Sequence, residues 1–180
     1  TTVLPLIDVF ETKKLPEGIG AKCRMVAGGH LQKEEDFFHS VATVMNIQSF
    51  RKCCAYRTMF KESKLFHWDV SQAFCNSILK ECIYVRQPKG MEIPGKENHV
   101  YKLNKALYGL VQAAYEWQRT LSSRLLEIGC KPLKADKSVY MLRDKKDPSI
   151  FVLIPTDVDD LFPLVSKGAD KLLDGIWEHL

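Results

Sequence analysis

An apolar run that leads directly into clustered carboxylates restricts the fold of this chain more than any other feature. Residues 151–154 (Phe-Val-Leu-Ile) are typical of a buried strand, and Asp157, Asp159 and Asp160 follow before apolar residues resume at Leu161. An ionised carboxylate in apolar surroundings is strongly disfavoured unless it is paired or binds a cation. The pattern therefore predicts an acidic turn between two apolar strands, and it suggests a divalent-metal site.

Length, charge and cysteine usage narrow the class of protein. The 180 residues with a net charge of +4 suit one domain, or most of one, and are compatible with a polyanionic partner. The six cysteines include no Cys-x-x-Cys pair, so we expect no zinc site and interpret most of them as small core residues. This usage favours a reducing, intracellular location, cytoplasmic or nuclear. The sequence has no apolar run long enough to predict a membrane span. The helical pattern at the C-terminus suggests a segment of a larger protein.

Apolar periodicity predicts an α+β fold, because helices and strands mix without regular βαβ alternation. Residues 1–20 hold prolines and glycines and are expected to be irregular. Helices are predicted at 38–62, at 71–78 with Ser71 as its cap, at 111–128, and from 169 onward. Strands are predicted at 21–27, 65–70, 83–85, 99–103, 138–142, 150–156 and 161–165.

A second carboxylate of interest, Asp69, follows the apolar strand that begins at Leu65. If this strand end lies beside Asp159 and Asp160, the three could hold a pair of Mg²⁺ ions. Mg²⁺ prefers oxygen ligands, and two such ions stabilise the attacking and leaving oxygens of an in-line displacement. On spacing alone, each aspartate is more readily interpreted as an ordinary turn residue.

The segment around Asp69 is one of several that match sequence blocks of a known family. Residues 68–77 read Trp-Asp-Val-Ser-Gln-Ala-Phe-Cys-Asn-Ser, residues 83–91 read Ile-Tyr-Val-Arg-Gln-Pro-Lys-Gly-Met, and residues 101–113 read Tyr-Lys-Leu-Asn-Lys-Ala-Leu-Tyr-Gly-Leu-Val-Gln-Ala. They resemble, in order, the blocks Leu-Asp-Val-Lys-Thr-Ala-Phe-Leu-Asn-Gly, Val-Tyr-Met-x-Gln-Pro-x-Gly-Phe and Lys-Leu-x-Lys-Ser-Leu-Tyr-Gly-Leu-Lys-Gln-Ala. These belong to the reverse transcriptase domain of copia-type LTR retrotransposons.

Three shorter segments extend the resemblance. Residues 22–27 are similar to Lys-Ala-Arg-Leu-Val-Ala, residues 136–140 to Asp-Pro-Ser-Leu-Phe, and residues 157–160 stand where the family has Tyr-Val-Asp-Asp. Six blocks in the family's order cover residues 22 to about 165. The resemblance is therefore specific.

The resemblance implies a catalytic set. Asp69, Asp159 and Asp160 would be the palm carboxylates that hold two Mg²⁺ ions, and the backbone carbonyl of Val70 would add a ligand. The reaction would be two-metal nucleotidyl transfer, RNA-directed DNA polymerisation within a Pol polyprotein. The partners would be an RNA or DNA template–primer, deoxynucleoside triphosphates and the rest of the polyprotein. A membrane would not be among the partners.

The resemblance also implies a nucleotide site. Phe74 would exclude a 2′-hydroxyl, Gln112 would contact the incoming nucleotide, and Lys22 and Arg24, two apart on one strand face, would hold the triphosphate. From the residues alone, Phe74 is also interpreted as a core aromatic and Gln112 as a solvated polar residue at a helix start. Lys22 and Arg24 also fit an exposed hairpin edge.

The implied layout is a single partial domain over residues 1–180. About 1–68 and 80–110 would be fingers-like with palm connections, about 69–79 and 111–180 would form the palm with an antiparallel sheet packed on helices, and a thumb would be absent.

Departures from the family pattern concentrate near the acidic turn. Asp157 replaces the tyrosine before Val-Asp-Asp, and Gly28 replaces a lysine. Strand alternation predicts that Asp157 points the same way as Asp159, toward the phosphates of a bound duplex. Pro155 and Pro163 are expected to distort the hairpin. These departures predict weak or absent polymerase activity for this segment by itself.

Three function classes remain open on the sequence. The first is the reverse transcriptase just described. The second is a catalytically dead, domesticated module that binds nucleic acid or a protein partner. The third is a different two-metal enzyme such as a nuclease, which the carboxylates allow but the ordered blocks do not favour.

Overall fold

The computed structural model describes residues 2–16 and 18–180, so Thr1 and Glu17 lie outside the described residues. The chain forms two compact units, the first of Thr1–Val41 and Phe74–Glu116 and the second of Ala42–Ala73 and Trp117–Leu180. The helices of the described residues are α1 (Ile47–Met59), α2 (Ala113–Glu127) and α3 (Asp170–Trp177). The strands are β1 (Val3–Leu4), β2 (Leu6–Leu15), β3 (Gly18–Ala27), β4 (Lys64–Leu65), β5 (Trp68–Asp69), β6 (Tyr84–Arg86), β7 (Val100–Lys102), β8 (Lys131–Pro132), β9 (Val139–Arg143), β10 (Phe151–Asp157), β11 (Asp160–Leu161) and β12 (Leu164–Val165). This mixture confirms the predicted combination of helices and sheets.

The first unit contains a long hairpin where an irregular segment was predicted. Strands β2 and β3 pair antiparallel from Leu6 opposite Ala27 to Leu15 opposite Gly18. The two prolines of this segment do not interrupt the ladder, because Pro5 lies between β1 and β2 and Pro16 follows β2. A proline at a strand end removes no ladder hydrogen bond, so the prediction for residues 1–20 was wrong.

The core of the first unit lies under a three-stranded sheet in the order β1-β6-β7, with β1 parallel to β6 and β7 antiparallel to it. The buried cluster takes side chains from both strands and loops. Its buried members are Leu4, Ala27, Leu79, Ile83, Val85, Ala106, Leu110 and Ala113.

Two backbone segments of this unit approach each other closely at glycines. The Ala27 N–H donates to the Tyr108 carbonyl (2.7 Å), next to Gly109, which has φ +92°. A Cβ on Gly109 would overlap the Ala27 carbonyl oxygen, and a Cβ on Gly29 would lie 2.9 Å from the Gly109 carbonyl carbon. Both positions therefore require glycine, which explains the place of Gly109 in the block at 101–113.

The second unit is built on one sheet around β10. Strand β9 pairs along one side of β10, while β11 and β12 pair along the other; β5 continues from β11, β4 from β12, and β8 from β9. Every one of these pairings is antiparallel. Helix α1 packs on β10 through Tyr56, whose ring meets Phe151 edge-on at 5.5 Å.

Several predicted elements are shorter than expected. Helix α1 begins only at Ile47, because Asn46 caps it by accepting from the Gln48 N–H (2.8 Å), so the predicted helix over 38–62 was too long at both ends. Of the apolar residues before it that suggested helical spacing, Val41 (77%) and Val44 (52%) are exposed and Met45 is half-buried. The predicted helix at 71–78 is a 3₁₀ turn at Ala73–Asn76, since Gln72 has φ +53°, outside the helical region.

Asp136, from the matching block at residues 136–140, ties α1 to the sheet. Its carboxylate accepts from the Asn46 N–H (2.8 Å), the Ser49 hydroxyl (2.6 Å) and the Ser138 N–H (3.0 Å). Partial burial raises the pKa of Asp136, but these three hydrogen bonds outweigh burial and leave that pKa below its usual value. The block is thus explained by hydrogen bonding within the second unit.

The cysteines are less uniformly buried than predicted. Only Cys53 and Cys130 are buried, and burial raises the pKa of each thiol to about 11. Cys23 and Cys82 are exposed, so the expectation that most are core residues was wrong. Across residues 2–16 and 18–180, no helix combines the length and apolar character that crossing a bilayer requires.

Candidate active site

Three carboxylates form a row across neighbouring strands of the second unit. Asp157, the last residue of β10, is paired with Asp160 on β11, and Asp160 is paired with Asp69 on β5. Directly paired residues of antiparallel strands project from the same face of a sheet. The sheet therefore presents Asp157, Asp160 and Asp69 side by side.

Asp159 lies in the tight turn that joins β10 to β11, beside this row. The Val70 N–H donates to the Asp159 carbonyl (2.9 Å), which ties the turn to the residue after Asp69. Because Asp159 is not on a strand, strand alternation does not relate it to Asp157. The expectation that Asp157 points the way Asp159 does therefore loses its basis in strand alternation and stays a prediction, whereas the residue that shares the sheet face of Asp157 is Asp160.

The prolines distort this region less than predicted. Pro155 stays within β10, opposite Val139, and its carbonyl accepts from the Phe162 N–H (3.0 Å). Pro163 falls in the gap between β11 and β12, so it interrupts the predicted strand at 161–165. The predicted distortion is thus confined to the segment after the turn, where β11 and β12 replace a single strand.

Backbone strain marks the same place. Among the described residues other than glycine, positive φ occurs at Gln72 (φ +53°) and Val158 (φ +52°). Val158 stands between Asp157 and Asp159, and Gln72 follows Asp69 by three residues. The left-handed region is rare for a β-branched residue such as valine, and such strain often accompanies functional sites.

Trp117 supports the strained turn. Its indole Nε1–H donates to the Val158 carbonyl at 2.6 Å, and the side chain is 3% exposed. Trp117 lies on the buried face of α2 together with Leu121 and Leu125, four residues apart along one helix face. The helix predicted at 111–128 contains Trp117, but nothing local in the sequence indicated its hydrogen bond to the turn.

His67 engages one carboxylate of the row. Its Nε2 lies 2.5 Å from Asp160 Oδ1, and its ring is parallel to that of Phe162 at 5.0 Å. A cation that binds Asp160 through this oxygen would have to displace the imidazole. Sequence reasoning missed this residue, although its position two before Asp69 on an extended segment was a usable signal.

The donor set fits Mg²⁺ in part. Asp69, Asp159 and Asp160 supply carboxylate oxygens within one turn and its neighbouring strand, which is the ligand type that Mg²⁺ prefers. Within the part of the chain that the structure describes, no three His, Cys, Asp or Glu side chains are arranged as a ready cage. Mg²⁺ is commonly bound by one or two carboxylates, with substrate phosphates completing its shell, so the two observations agree.

The predicted nucleotide-binding residues belong to the first unit, where each can be described by itself. Gln112 precedes α2, accepts the Glu116 N–H on its carbonyl (3.0 Å) and is fully buried, not solvated. Phe74 packs against the buried cluster and its ring lies 4.6 Å from that of Tyr108. The packing of Phe74 suits the core-aromatic interpretation and leaves its predicted role untested.

The two predicted triphosphate contacts lie on β3. Lys22 is opposite Glu11 on β2, and Arg24 Nη1 contacts the same Glu11 carboxylate at 2.6 Å. The Arg24 and Glu11 side chains are 41% and 48% exposed, so this ion pair is worth little on its own. Gly28, at the end of this hairpin, faces Pro5: a Cβ there would lie 2.7 Å from Pro5 Cγ.

Removing the Trp117 indole N–H is expected to weaken metal binding at the turn. In Trp117→Phe, the Val158 carbonyl loses its donor, which costs roughly 1 kcal/mol and lets the strained turn relax. We expect Mn²⁺ affinity, measured by water proton relaxation, to fall several-fold, and Val158→Gly in the same chain to restore it, because glycine tolerates positive φ. Trp177→Phe, at an exposed tryptophan, is the matched control; an equal loss there would contradict the role of Trp117.

Comparison with known proteins gives one consistent result. A family model described as "Reverse transcriptase (RNA-dependent DNA polymerase)" matches residues 3–180. No solved structure gives a significant match.

Curated relatives agree with the family model. The chain is similar to the retrovirus-related Pol polyprotein from transposon TNT 1-94 of Nicotiana tabacum, with 33% identity over 155 residues, covering 86% of this chain and 12% of the relative. It is also similar to the retrovirus-related Pol polyprotein from transposon RE1 of Arabidopsis thaliana, with 31% identity over 160 residues, covering 88% of this chain and 10% of the relative. The chain thus spans about a tenth of the length of these two relatives.

Proposed function

Because the chain belongs to the reverse transcriptase family of copia-type retrotransposon Pol polyproteins, we propose that it supplies the catalytic carboxylates of an RNA-directed DNA polymerase. The observation that carries the proposal is the pairing of Asp69 with Asp160 across β5 and β11, with Asp159 in the adjoining turn. Carboxylates from two separate sequence blocks meet there, as a shared cation site requires.

In this proposal Asp69, Asp159 and Asp160, with the Val70 carbonyl, hold two Mg²⁺ ions. Ions bound by these residues would supply electrostatic stabilisation for attack of a primer 3′-hydroxyl on an α-phosphate and for departure of the pyrophosphate. The protein positions the reactants, since phosphoryl transfer depends mainly on alignment and electrostatics. The hydrogen bond from Trp117 to the turn keeps Asp159 at its place beside β5.

The nucleotide contacts follow the family pattern as proposals. Lys22 and Arg24 would hold the triphosphate, as point charge and fork respectively. Phe74 would exclude a 2′-hydroxyl, and Gln112 would contact the incoming nucleotide. The fingers-and-palm layout belongs to the same proposal, with about 1–68 and 80–110 fingers-like with palm connections and about 69–79 and 111–180 palm.

Activity of this segment alone is proposed to be weak. Asp157 adds a third carboxylate to the cross-strand row, on the face that would meet a primer–template. Repulsion between unit charges about 4 Å apart is about 1 kcal/mol in water and larger in a cleft of lower dielectric. Template–primer would be held mainly through phosphates, so its affinity should fall steeply with salt.

Primer extension on an RNA template tests the proposal. The purified chain is incubated with a DNA primer, deoxynucleoside triphosphates and Mg²⁺, and extension is followed by gel. We expect slow extension that depends on the divalent ion and disappears in Asp159→Asn. Asp174→Asn, an aspartate on α3 outside the carboxylate row, is the matched control and should extend as the unaltered chain does.

Metal binding provides a second measurement that does not require turnover. Mn²⁺ should broaden the amide resonances of residues next to Asp69 and Asp160 before resonances elsewhere in the chain. Absence of both extension and selective broadening would overturn the proposed function. Broadening without extension would support the metal site and place the defect in substrate binding.

A further inference from the structure

We propose that Gln32 is a positioning residue that fixes the orientation of the Gln112 carboxamide, so that the Nε2 donors of Gln112 meet an acceptor oxygen of a deoxynucleoside triphosphate. The inference rests on the proposed function and adds to it a residue and a direction of hydrogen bonding. Gln32 lies just after the 3₁₀ helix Gly29–Leu31, far from Gln112 in sequence but beside it in the first unit.

The orientation follows from a chain of hydrogen bonds that starts at a backbone group. The Val111 N–H donates to Gln32 Oε1 at 2.8 Å. A backbone N–H can only donate, so the oxygen of the Gln32 carboxamide must face it. The nitrogen of Gln32 then faces Gln112, 3.0 Å from Oε1 of that side chain.

The same logic determines Gln112. Because Gln32 Nε2 can only donate, the Gln112 atom that faces it must be the oxygen. The Gln112 Nε2 group is therefore directed away from Gln32. Amide orientation is normally ambiguous, but here it is anchored by the fixed polarity of a backbone N–H.

The Gln112 amide donors have no partner among the described residues. Gln112 is fully buried, and its Nε2 makes no hydrogen bond there, whereas its Oε1 is satisfied by Gln32. A buried donor without an acceptor costs about 1–3 kcal/mol. An incoming acceptor would recover that energy, and a nucleotide offers phosphate and sugar oxygens as acceptors.

Two substitutions at Gln32 separate positioning from structural support. Gln32→Glu keeps an acceptor for the Val111 N–H but offers no donor, so Gln112 must turn by half a rotation and present Oε1 instead of Nε2. Gln32→Met removes both groups, leaves the Val111 N–H unsatisfied and lets Gln112 take either orientation. A positioning role therefore predicts that nucleotide affinity decreases in the order Gln, Met, Glu at position 32. A purely structural role predicts the order Gln, Glu, Met.

The experiment measures the dissociation constant of dTTP with Mg²⁺ by fluorescence titration, alongside the thermal midpoint of each variant. We expect Gln32→Glu to weaken dTTP binding about tenfold. Gln32→Met should have an affinity between those of the unaltered chain and Gln32→Glu, and it should have a lower thermal midpoint than Gln32→Glu. Leu31→Glu, which adds the same charge at an exposed neighbouring position, is the matched control and should bind within twofold of the unaltered chain.

A side-chain readout completes the test. In ¹⁵N-labelled protein, dTTP should shift the Gln112 NH₂ resonances of the unaltered chain and leave them unshifted in Gln32→Glu. Tight dTTP binding that is equal in Gln32→Glu and the unaltered chain would overturn this inference and leave the proposed function standing. An unaltered chain that binds no dTTP would overturn this inference and the proposed nucleotide contacts together, and the Mn²⁺ broadening described above then decides whether the carboxylate site stands.

Discussion

Replacing Gly109 by alanine is expected to destabilise the first unit by roughly 2–5 kcal/mol, the sum of left-handed backbone strain and steric overlap. Gly109 has φ +92°, and a Cβ there would overlap the Ala27 carbonyl oxygen and lie 3.1 Å from the Ala27 carbonyl carbon. The neighbour is backbone held by the hydrogen bond from Ala27 to Tyr108, so it cannot give way as a flexible side chain would. Urea unfolding of both proteins measures the difference.

Gly90 provides the matched control for this prediction. It also has a positive φ, +82°, but a Cβ there would meet nothing within 4 Å. Gly90→Ala should therefore lose only the strain contribution, about 1–2 kcal/mol. If the two variants lose equal stability, the close approach between β3 and the segment at Tyr108 is not what requires glycine at position 109.

Within the carboxylate row, the same isosteric change is expected to have opposite effects at its two ends. Asp69→Asn should reduce primer extension on the order of a hundredfold or more, because a charge that stabilises the transition state is lost. Asp157→Asn removes a charge that repels the duplex, so template–primer affinity should rise about fivefold. Both residues flank Asp160 across adjacent strands, so neither change alters side-chain size or the strand pairing.

Filter binding at low and moderate salt measures the template–primer affinity, and primer extension measures the activity. The gain in Asp157→Asn should shrink as salt rises, since screening weakens repulsion between exposed charges. Asp157→Tyr, which introduces the aromatic of the family pattern, should bind template–primer at least as tightly as Asp157→Asn. Loss of extension in Asp157→Asn equal to that in Asp69→Asn would instead make Asp157 a ligand, and the proposed division of roles would fail.

Much of the framework followed from local sequence. Alternating or continuous apolar runs predicted β9 and β10 to within a residue or two, and apolar periodicity predicted α2 to within two residues at each end. Errors arose where local patterns competed with capping and turn geometry. Asn46 delayed the start of α1, and prolines at strand ends disguised the hairpin of β2 and β3.

The sequence by itself determined the acidic turn, Asp69 and the family, because residue type and order within short blocks carry that information. The tertiary structure alone decided which side chains face one another. It paired Asp157 with Asp160, and it brought Trp117 to Val158 and Gln32 to Gln112. These relations join residues up to 80 positions apart. Strand register and the fixed polarity of backbone hydrogen bonds set them, and no local pattern encodes either.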